Sequence, residues 1–379
     1  MIHGRHARSW EVTLRGNTRC RNYSRLQRGT TMKMAIYGSA LLALMVASAV
    51  NAQSNGWNDG DLIVTASNTA SNQLLVYNTQ GTLVEQSKTG GAGGVTGNSG
   101  GIAQNRDLLA VVNFGSGNVS IFQKGGDRVP LQLEKLVPAI TNPVSVAFGR
   151  NHLYILTTTH IESHLIDRNG VSAQADGEAQ LVMADGSAAQ VGVLRGQLIL
   201  AEKSNAIETV NLTDDGAVSG ATQLVANIPA NVNTPFGLAT RGNDAYVSIA
   251  HANEISLVRN DAVLTVTGSG TQLAPCWVTL DGPFLFSANS PSHSVSRFAV
   301  YGQKIILDAE VVATFNGNPT DITYRDGLAA VVDANGSVSH VSIFNVDGDG
   351  DFNLKSSVTI NNVATNGIAI VRNDGRFNY

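Results

Sequence analysis

A repeat of about 44 residues runs through most of this 379-residue chain and limits what it can fold into. The repeated pattern is an apolar segment that ends in small or polar residues, a turn, and a segment in which apolar and polar residues alternate. Self-similarity at such a period is typical of architectures in which each copy forms one supersecondary unit. Alignment of seven copies places equivalent residues at Leu74, Val119, Ser163, Ile207, Ile255, Val295 and Val341.

Each copy has the content of four short strands. A short apolar segment precedes the recurring pair, as in residues 143–148 and 235–240, and a looser strand follows it. Alternation and many β-branched residues are typical of half-buried antiparallel strands, and no segment shows a helical period of useful length. Four strands in about 40–45 residues are the signature of one propeller blade. We therefore predict an all-β fold, a seven-bladed β-propeller.

The two ends of the repeat region indicate how the ring closes. The first copy starts at Asp61–Val64 without an innermost strand, and Asn366–Val371 matches the innermost-strand pattern but has no blade of its own. We therefore predict that the C-terminal strand completes blade one. This pairing would remove two open sheet edges, which otherwise invite aggregation.

The N-terminal residues are predicted to lie outside this domain. Residues 34–50 are the only long apolar run, and Met32-Lys33 before it and Val50 and Ala52 after it are typical of a secretory signal cleaved after Ala52. An uncleaved anchor is the alternative, although 17 residues are short for a membrane span. We predict a signal peptide over 32–52, a spurious or disordered extension over 1–31, and a secreted domain over 53–379, extracellular or periplasmic and free of the membrane after cleavage.

Charge and cysteine content narrow the function classes. The chain has 25 basic and 29 acidic residues, and eight of the basic residues but only one acidic residue lie in residues 1–52. The rest of the chain therefore has 17 basic and 28 acidic residues, a net charge of −11. An acidic body has no electrostatic footprint for nucleic acid. Cys276 is the only cysteine after residue 52, so no intramolecular disulfide can form there and the core must suffice without one. We expect a monomer.

Four segments carry a resemblance to a known family: Asn142–Val146, Ala189–Val191 leading to Ala201–Lys203, Thr234–Gly237 and Pro275–Val278. Through them the chain resembles, over residues 61–374, the seven-bladed lactonase-like propellers labelled 3-carboxymuconate cyclase or 6-phosphogluconolactonase-like, particularly their exported members. The resemblance implies a lactone-forming or lactone-opening reaction on a small organic acid. The related enzymes use channel arginines to hold carboxylate or phosphate, whereas Arg150, Arg241 and Arg325 are predicted to lie on the opposite face.

The candidate site residues fall on one predicted face, formed by the loops before the innermost strands and between the second and third strands. A lactonase needs an acid or base near the ester carbonyl and a donor for the oxyanion. Our hypothesis is that Glu202 is the general base and that Lys203 or His251 steadies the developing charge. Because adjacent strand residues face opposite sides, only one of Glu202 and Lys203 can face the channel, and the alternative is that both are surface residues of a turn. The candidate ligand-binding residues are Asn113, His160, Phe236, Trp277, Asn289 and Asp321.

No metal or cofactor site is predicted from the spacing of possible ligands. Asn345–Asp351 resembles half a calcium loop, but position 12 is Ser356 rather than a glutamate, so a turn is the better interpretation. The glycine-rich tract 90–101 lacks the ending of a phosphate-binding loop and is interpreted as a flexible connection between blades.

Two function classes therefore remain open. The first is a lactone hydrolase or cyclase acting at the channel mouth around Glu202. The second is a non-catalytic propeller that binds a small-molecule ligand or a partner protein on the face that carries the loops. The resemblance favours the first class, and the missing channel arginines favour the second.

Overall fold

The structure is a computed structural model that describes residues 60–124, 131–226, 228 and 234–372. The predicted extension over 1–31 and the signal peptide over 32–52 lie outside the described residues and stay predictions. Among the described residues, no helix has the length and apolar character needed to cross a membrane.

The described chain forms 29 strands in seven antiparallel sheets, with two single-turn 3-10 helices at Phe114–Ser116 and Ala250–Ala252. Blade one consists, from the innermost strand outward, of β29 (Asn366–Val371), β1 (Leu62–Ala66), β2 (Gln73–Asn78) and β3 (Leu83–Lys88). Blade two consists of β4 (Ile102–Asn105), β5 (Leu108–Asn113), β6 (Asn118–Lys124) and β7 (Leu131–Pro138). Blade three consists of β8 (Pro143–Phe148), β9 (His152–Thr157) and β10 (His160–Asp167), with β11 (Gly170–Val171) and β12 (Gly177–Gln180) at its outer edge.

The remaining four blades have four strands each. Blade four consists of β13 (Ala188–Val193), β14 (Gln197–Glu202), β15 (Ala206–Leu212) and β16 (Val218–Leu224), and blade five of β17 (Pro235–Arg241), β18 (Asp244–Ile249), β19 (Glu254–Arg259) and β20 (Ala262–Gly268). Blade six consists of β21 (Pro275–Asp281), β22 (Phe284–Asn289), β23 (Ser294–Tyr301) and β24 (Lys304–Thr314). Blade seven consists of β25 (Asn318–Arg325), β26 (Leu328–Asn335), β27 (Val338–Val346) and β28 (Phe352–Ile360).

The seven sheets close into a ring. Strand β29 pairs antiparallel with β1, with Val64 opposite Ala369 and Ile63 opposite Ile370. Each innermost strand contacts the innermost strands of its two neighbours, in the order β29, β4, β8, β13, β17, β21, β25 and back to β29. The predicted seven-bladed propeller with a C-terminal strand in blade one is confirmed.

The core consists of seven apolar clusters, one between each pair of neighbouring blades. All seven repeat residues predicted from the sequence have no exposed surface and pair with the second strand of their own blade.

In blade three the equivalent residue is Ile161 rather than Ser163. Ile161 pairs with Leu156 as Val119 pairs with Val112 in blade two. The alignment was displaced by two residues because only Thr158 and Thr159 connect β9 with β10, whereas four residues connect β5 with β6. Blade three also differs at its outer edge, where β11 and β12 both pair with β10.

Candidate functional site

The glycine-rich tract 90–101 connects β3 with β4 and reaches across the channel on the loop face, by which we mean the face that carries the loops before the innermost strands and between the second and third strands. The side chain of Asn98 donates from Nδ2 to the Val144 carbonyl of blade three at 2.7 Å, and its Oδ1 accepts from Nδ2 of Asn366 at 2.9 Å. Its own carbonyl accepts from the Trp277 indole of blade six at 3.0 Å. The tract connects blades one and two as predicted, and these bonds also tie it to blades one, three and six.

Sequence reasoning missed Asn98, and the glycines around it were the available signal. A Cβ atom on Gly100 would lie 2.8 Å from Oγ of Ser145, and one on Gly101 would lie 2.6 Å from Oδ1 of Asn366. Glycine is required where a backbone approaches its neighbours this closely.

Two aromatic side chains complete the closure of the channel entrance. Phe236 at the start of β17 and Trp277 in β21 meet edge to face with ring centroids 5.3 Å apart, and both are buried. The Ser99 amide donates to the Ala189 carbonyl of β13 at 3.1 Å on the other side. From this packing and the bonds of Asn98 we infer that Asn98, Phe236 and Trp277 close the channel entrance.

Glu202, the predicted general base, lies at the end of β14 with no exposed surface. Alternation along the strand places it on the same side of the sheet as Leu200, which packs against blade three. Oε2 accepts from Oγ of Ser187 at 3.4 Å, and Oε1 has no hydrogen-bond partner. Burial, with a smaller contribution from the nearby charge of Glu208, raises the pKa of Glu202 to about 8. At neutral pH this carboxyl holds its proton, which suits an acid rather than a base.

Glu208 of β15 is the second acidic side chain in this region, and sequence reasoning did not single it out. Its two carboxylate oxygens accept from the backbone amides of Val182 at 2.9 Å and Met183 at 2.8 Å. It thus binds the connection between blades three and four, and charge-assisted bonds of this kind are the stronger ones.

Lys203 and His251, the other two predicted catalytic residues, also bond to the protein's own groups. The Lys203 ammonium donates to the Gly97 carbonyl of the glycine-rich tract at 2.6 Å. Of the neighbours Glu202 and Lys203, it is therefore Lys203 whose side chain points toward the channel. Burial lowers the pKa of Lys203. His251 is exposed, and its Nδ1 lies 2.8 Å from Oγ1 of Thr234. Among the described residues, no hydrogen bond joins any two of Glu202, Lys203 and His251.

Asn113 and Asn289 occupy equivalent places at the ends of β5 and β22, and both are fully buried. Nδ2 of Asn113 donates to Oδ1 of Asn118 at 2.8 Å and to Oγ of Ser120 at 2.6 Å. Nδ2 of Asn289 makes the matching pair of bonds to the hydroxyls of Ser294 and Ser296. Since an amide group has two N–H donors, both are used to hold the turn that follows each strand.

His160 and Asp321 lie apart from this set. Nδ1 of His160 is 2.9 Å from Oγ1 of Thr159 in the hairpin of blade three. The Asp321 carboxylate accepts from the backbone amides of Ile322, at 2.8 Å, and of Ile368, and so joins blade seven to the closing strand. Burial nevertheless raises the pKa of Asp321 to about 7.

The three arginines lie where they were predicted, at the edge opposite the loop face. Arg150 follows β8 in its turn, and Arg241 and Arg325 are the last residues of their innermost strands. Nη1 of Arg325 donates to Oε1 of Gln104 at 2.8 Å. None of the three is placed to hold an anion at the loop face.

The segment that resembles half a calcium loop forms a turn, and the possible metal ligands of the described residues do not cluster. Asn345–Asp351 contains the predicted turn, in which Oδ1 of Asp347 accepts from the amides of Asp349 and Asp351. Within the described ranges, no group of three or more His, Cys, Asp or Glu residues is arranged to hold a metal ion. Burial raises the pKa of Cys276 to about 12, so the thiol stays protonated and unreactive.

Comparison with known proteins gives matches of structure only, since no family model and no curated protein matches the sequence. A protein from Lactobacillus plantarum aligns with a TM-score of 0.61 and 16% identity, over 83% of this chain and 100% of its own. A putative 6-phosphogluconolactonase from Bacteroides uniformis aligns with a TM-score of 0.60 and 15% identity, over 83% and 100%. A putative 6-phosphogluconolactonase from Bacteroides fragilis gives 0.57 and 15%, over 84% and 100%.

At such identities the likeness concerns the backbone, and one propeller fold hosts many unrelated functions. The number of blades and the coverage of whole neighbour chains agree with the resemblance found in the sequence. The chain has the seven-bladed β-propeller fold, and its backbone is similar to those of the two putative 6-phosphogluconolactonases.

Proposed function

We propose that this protein is a non-catalytic propeller that binds a partner protein through its loop face. The observation that carries the proposal is the set of contacts at the channel entrance, where Asn98 bonds to Trp277 and Trp277 packs against Phe236, so that both rings are buried. A lactonase needs its acid or base and its oxyanion donor to converge on one reacting carbonyl. Here Glu202 has no exposed surface and the Lys203 ammonium bonds to the backbone.

Exposed apolar side chains on the loop face support protein binding. Ile140, Val182, Leu273 and Val363 each lie in a loop that leads into an innermost strand, and each is between 47% and 51% exposed. The four side chains lie in loops of blades three, four, six and one, so a partner that spans the loop face would bury all of them. Because the body carries a net charge of −11, we expect a partner with an apolar contact surface surrounded by basic residues.

The first test is enzymatic. The purified protein and its Glu202→Gln variant are assayed against a panel of neutral, carboxylated and phosphorylated lactones. We expect no hydrolysis above that of heat-inactivated protein in either sample. Turnover by the unmodified protein would contradict the proposal.

The second test addresses the face itself. Serine replaces Ile140, Val182, Leu273 and Val363 together, and a matched variant carries serine at four exposed apolar residues away from this face: Leu83, Leu165, Leu264 and Ile306. In affinity capture followed by purified reconstitution, the partner should be lost only from the first variant. Equal binding by both variants would show that the loop face is not the contact.

Lactone opening is the second candidate function, and one observation favours it. A fully buried carboxyl with an unpartnered Oε1 and a pKa of about 8 is an unfavourable arrangement for stability alone, and such groups cluster at functional sites. In that case Glu202 would act as an acid toward the leaving oxygen of a lactone. Hydrolysis that disappears in Glu202→Gln and declines above about pH 8 would establish this function instead.

Export is part of the proposal and follows from the predicted signal over 32–52. N-terminal sequencing of protein recovered from the producing cells should find Gln53 first, in the medium or the periplasm. Recovery in the membrane fraction with residues 32–52 intact would instead support the uncleaved anchor.

A further inference from the structure

A cavity of about 460 Å³ lies between the outer strand of blade six and the outer strands of blade seven. Phe315, Phe344 and Phe352 form most of its apolar wall, and their rings contact one another with centroids 5.3 to 6.0 Å apart. This volume falls within the range of cavities that bind small molecules. The cavity is separate from the closed channel entrance, and none of the predicted site residues lines it.

Two polar side chains converge on this apolar wall. Asp333 lies near the loop-face end of β26, and its side chain is 3% exposed. Its Oδ1 accepts from Nδ1 of His340 at 3.0 Å. A carboxylate oxygen can only accept, so the hydrogen of the neutral imidazole is fixed on Nδ1 and Nε2 carries a lone pair. Among the described residues Nε2 of His340 has no hydrogen-bond partner, and the imidazole is partly exposed to the cavity.

The chemistry of the cavity selects for one kind of ligand. A pocket with an aromatic wall, a polar remainder and a fixed acceptor fits an aromatic molecule that carries a hydroxyl or another neutral donor. No Lys or Arg is among the residues that line it, and the buried carboxylate of Asp333 lies next to the imidazole, so an anion is disfavoured. The hydroxyls of Ser342 and Ser357, 3.2 Å apart, can take a second polar substituent.

We propose that this cavity between blades six and seven binds neutral hydroxylated aromatic molecules, with the ligand hydroxyl donating to Nε2 of His340 and the ring packed on the phenylalanines. Asp333 positions the imidazole and does not touch the ligand. The site is independent of the proposed protein-binding function, since a partner on the loop face requires no occupied cavity.

The test uses two probes that differ only in the donor. Isothermal titration calorimetry of the full chain measures the affinity for 4-ethylphenol and for 4-ethylanisole. The phenol should bind, and the ether should bind at least about tenfold more weakly, which is the loss expected for one hydrogen bond left unmade in a buried site. Equal affinity for the two probes, or no binding of the phenol at millimolar concentration, would overturn the proposal.

Variants locate the binding. Leu354 lines the cavity and is 63% exposed, so Leu354→Arg should block the opening without unfolding the protein and weaken phenol binding at least tenfold. Leu264→Arg, at an exposed leucine of blade five, is the matched control and should bind as the unmodified protein does. His340→Leu should abolish the preference for phenol over ether. If that variant fails to fold because Asp333 loses its partner, the Leu354 and Leu264 pair decides, and unchanged binding by Leu354→Arg contradicts the assignment.

Discussion

Glu202 holds a carboxyl group in a space that its own blade and blade three close off from water. Burial raises its pKa from the ordinary value of 4.5 to about 8. Between these two values the folded protein binds more protons than the unfolded chain, so the free energy of unfolding falls as pH rises. Asp321, whose pKa is raised to about 7, acts in the same direction.

Glu202→Gln should remove the part of this pH dependence that Glu202 causes. Near pH 4 the variant and the unmodified protein should be about equally stable, because the carboxyl is protonated in both states. At pH 9 the variant should be more stable, by on the order of 5 kcal/mol, since the amide never ionises. Urea unfolding at the two pH values measures this, with Glu178→Gln at an exposed position as control. A variant less stable than the unmodified protein at pH 9 would show that the buried carboxylate is favourably solvated.

Asn98 is the residue on which the closure of the entrance depends. Asn98→Ala removes the bonds to Val144 and Asn366 and leaves their buried polar groups unpaired, so a loss of about 2 kcal/mol is expected. Urea unfolding should show this loss, whereas Gln132→Ala on an outer strand should change little. A loss within 0.5 kcal/mol, the usual range for surface substitutions, would mean that the tract does not depend on this side chain.

The sequence alone predicts the roles of single residues less well than it predicts the strands or the blades. Asn113 and Asn289 were recognisable as polar ends of apolar strands, but their use in holding turns depends on Ser120 and Ser296, which only the pairing register brings near. The burial of Glu202 depends on the packing of blade four against blade three, and no local pattern reports it.

At the level of strands, local pattern was sufficient because each blade is built mostly from neighbouring segments. The four-strand repeat and the role of Asn366–Val371 followed from alternation and from the missing innermost strand of the first copy. The error in blade three came from a short hairpin, which changes the spacing without changing the pattern.

Removal of β29 tests the strand that closes the ring. A chain ending at Thr365 loses the partner of Leu62–Ala66 and exposes the edge of β1, so we expect aggregation or non-cooperative unfolding. A chain ending at Arg372 keeps β29 and is the matched control. Thermal unfolding with light scattering distinguishes the two, and a cooperative transition in the shorter chain would exclude the assigned closure.

At the scale of the whole molecule, seven apolar clusters between blades hold the ring without a disulfide among the described residues. The repeat predicts this ring, but it does not predict what fills the channel. Asn98, in the connection between blades one and two, lies 179 residues before Trp277 of blade six. A contact of this kind breaks the symmetry of the repeat, and only the folded chain shows it.

Trp277 reports directly on the closed entrance from which the binding function is inferred. In a variant carrying Trp10→Phe and Trp57→Phe, Trp277 is the only tryptophan, and its fluorescence and quenching by acrylamide can be measured in the folded protein and in urea. The buried, hydrogen-bonded indole should emit at shorter wavelength than in urea and resist quenching. Emission and quenching like those of the unfolded chain would mean an open channel, and the catalytic alternative would then regain its site.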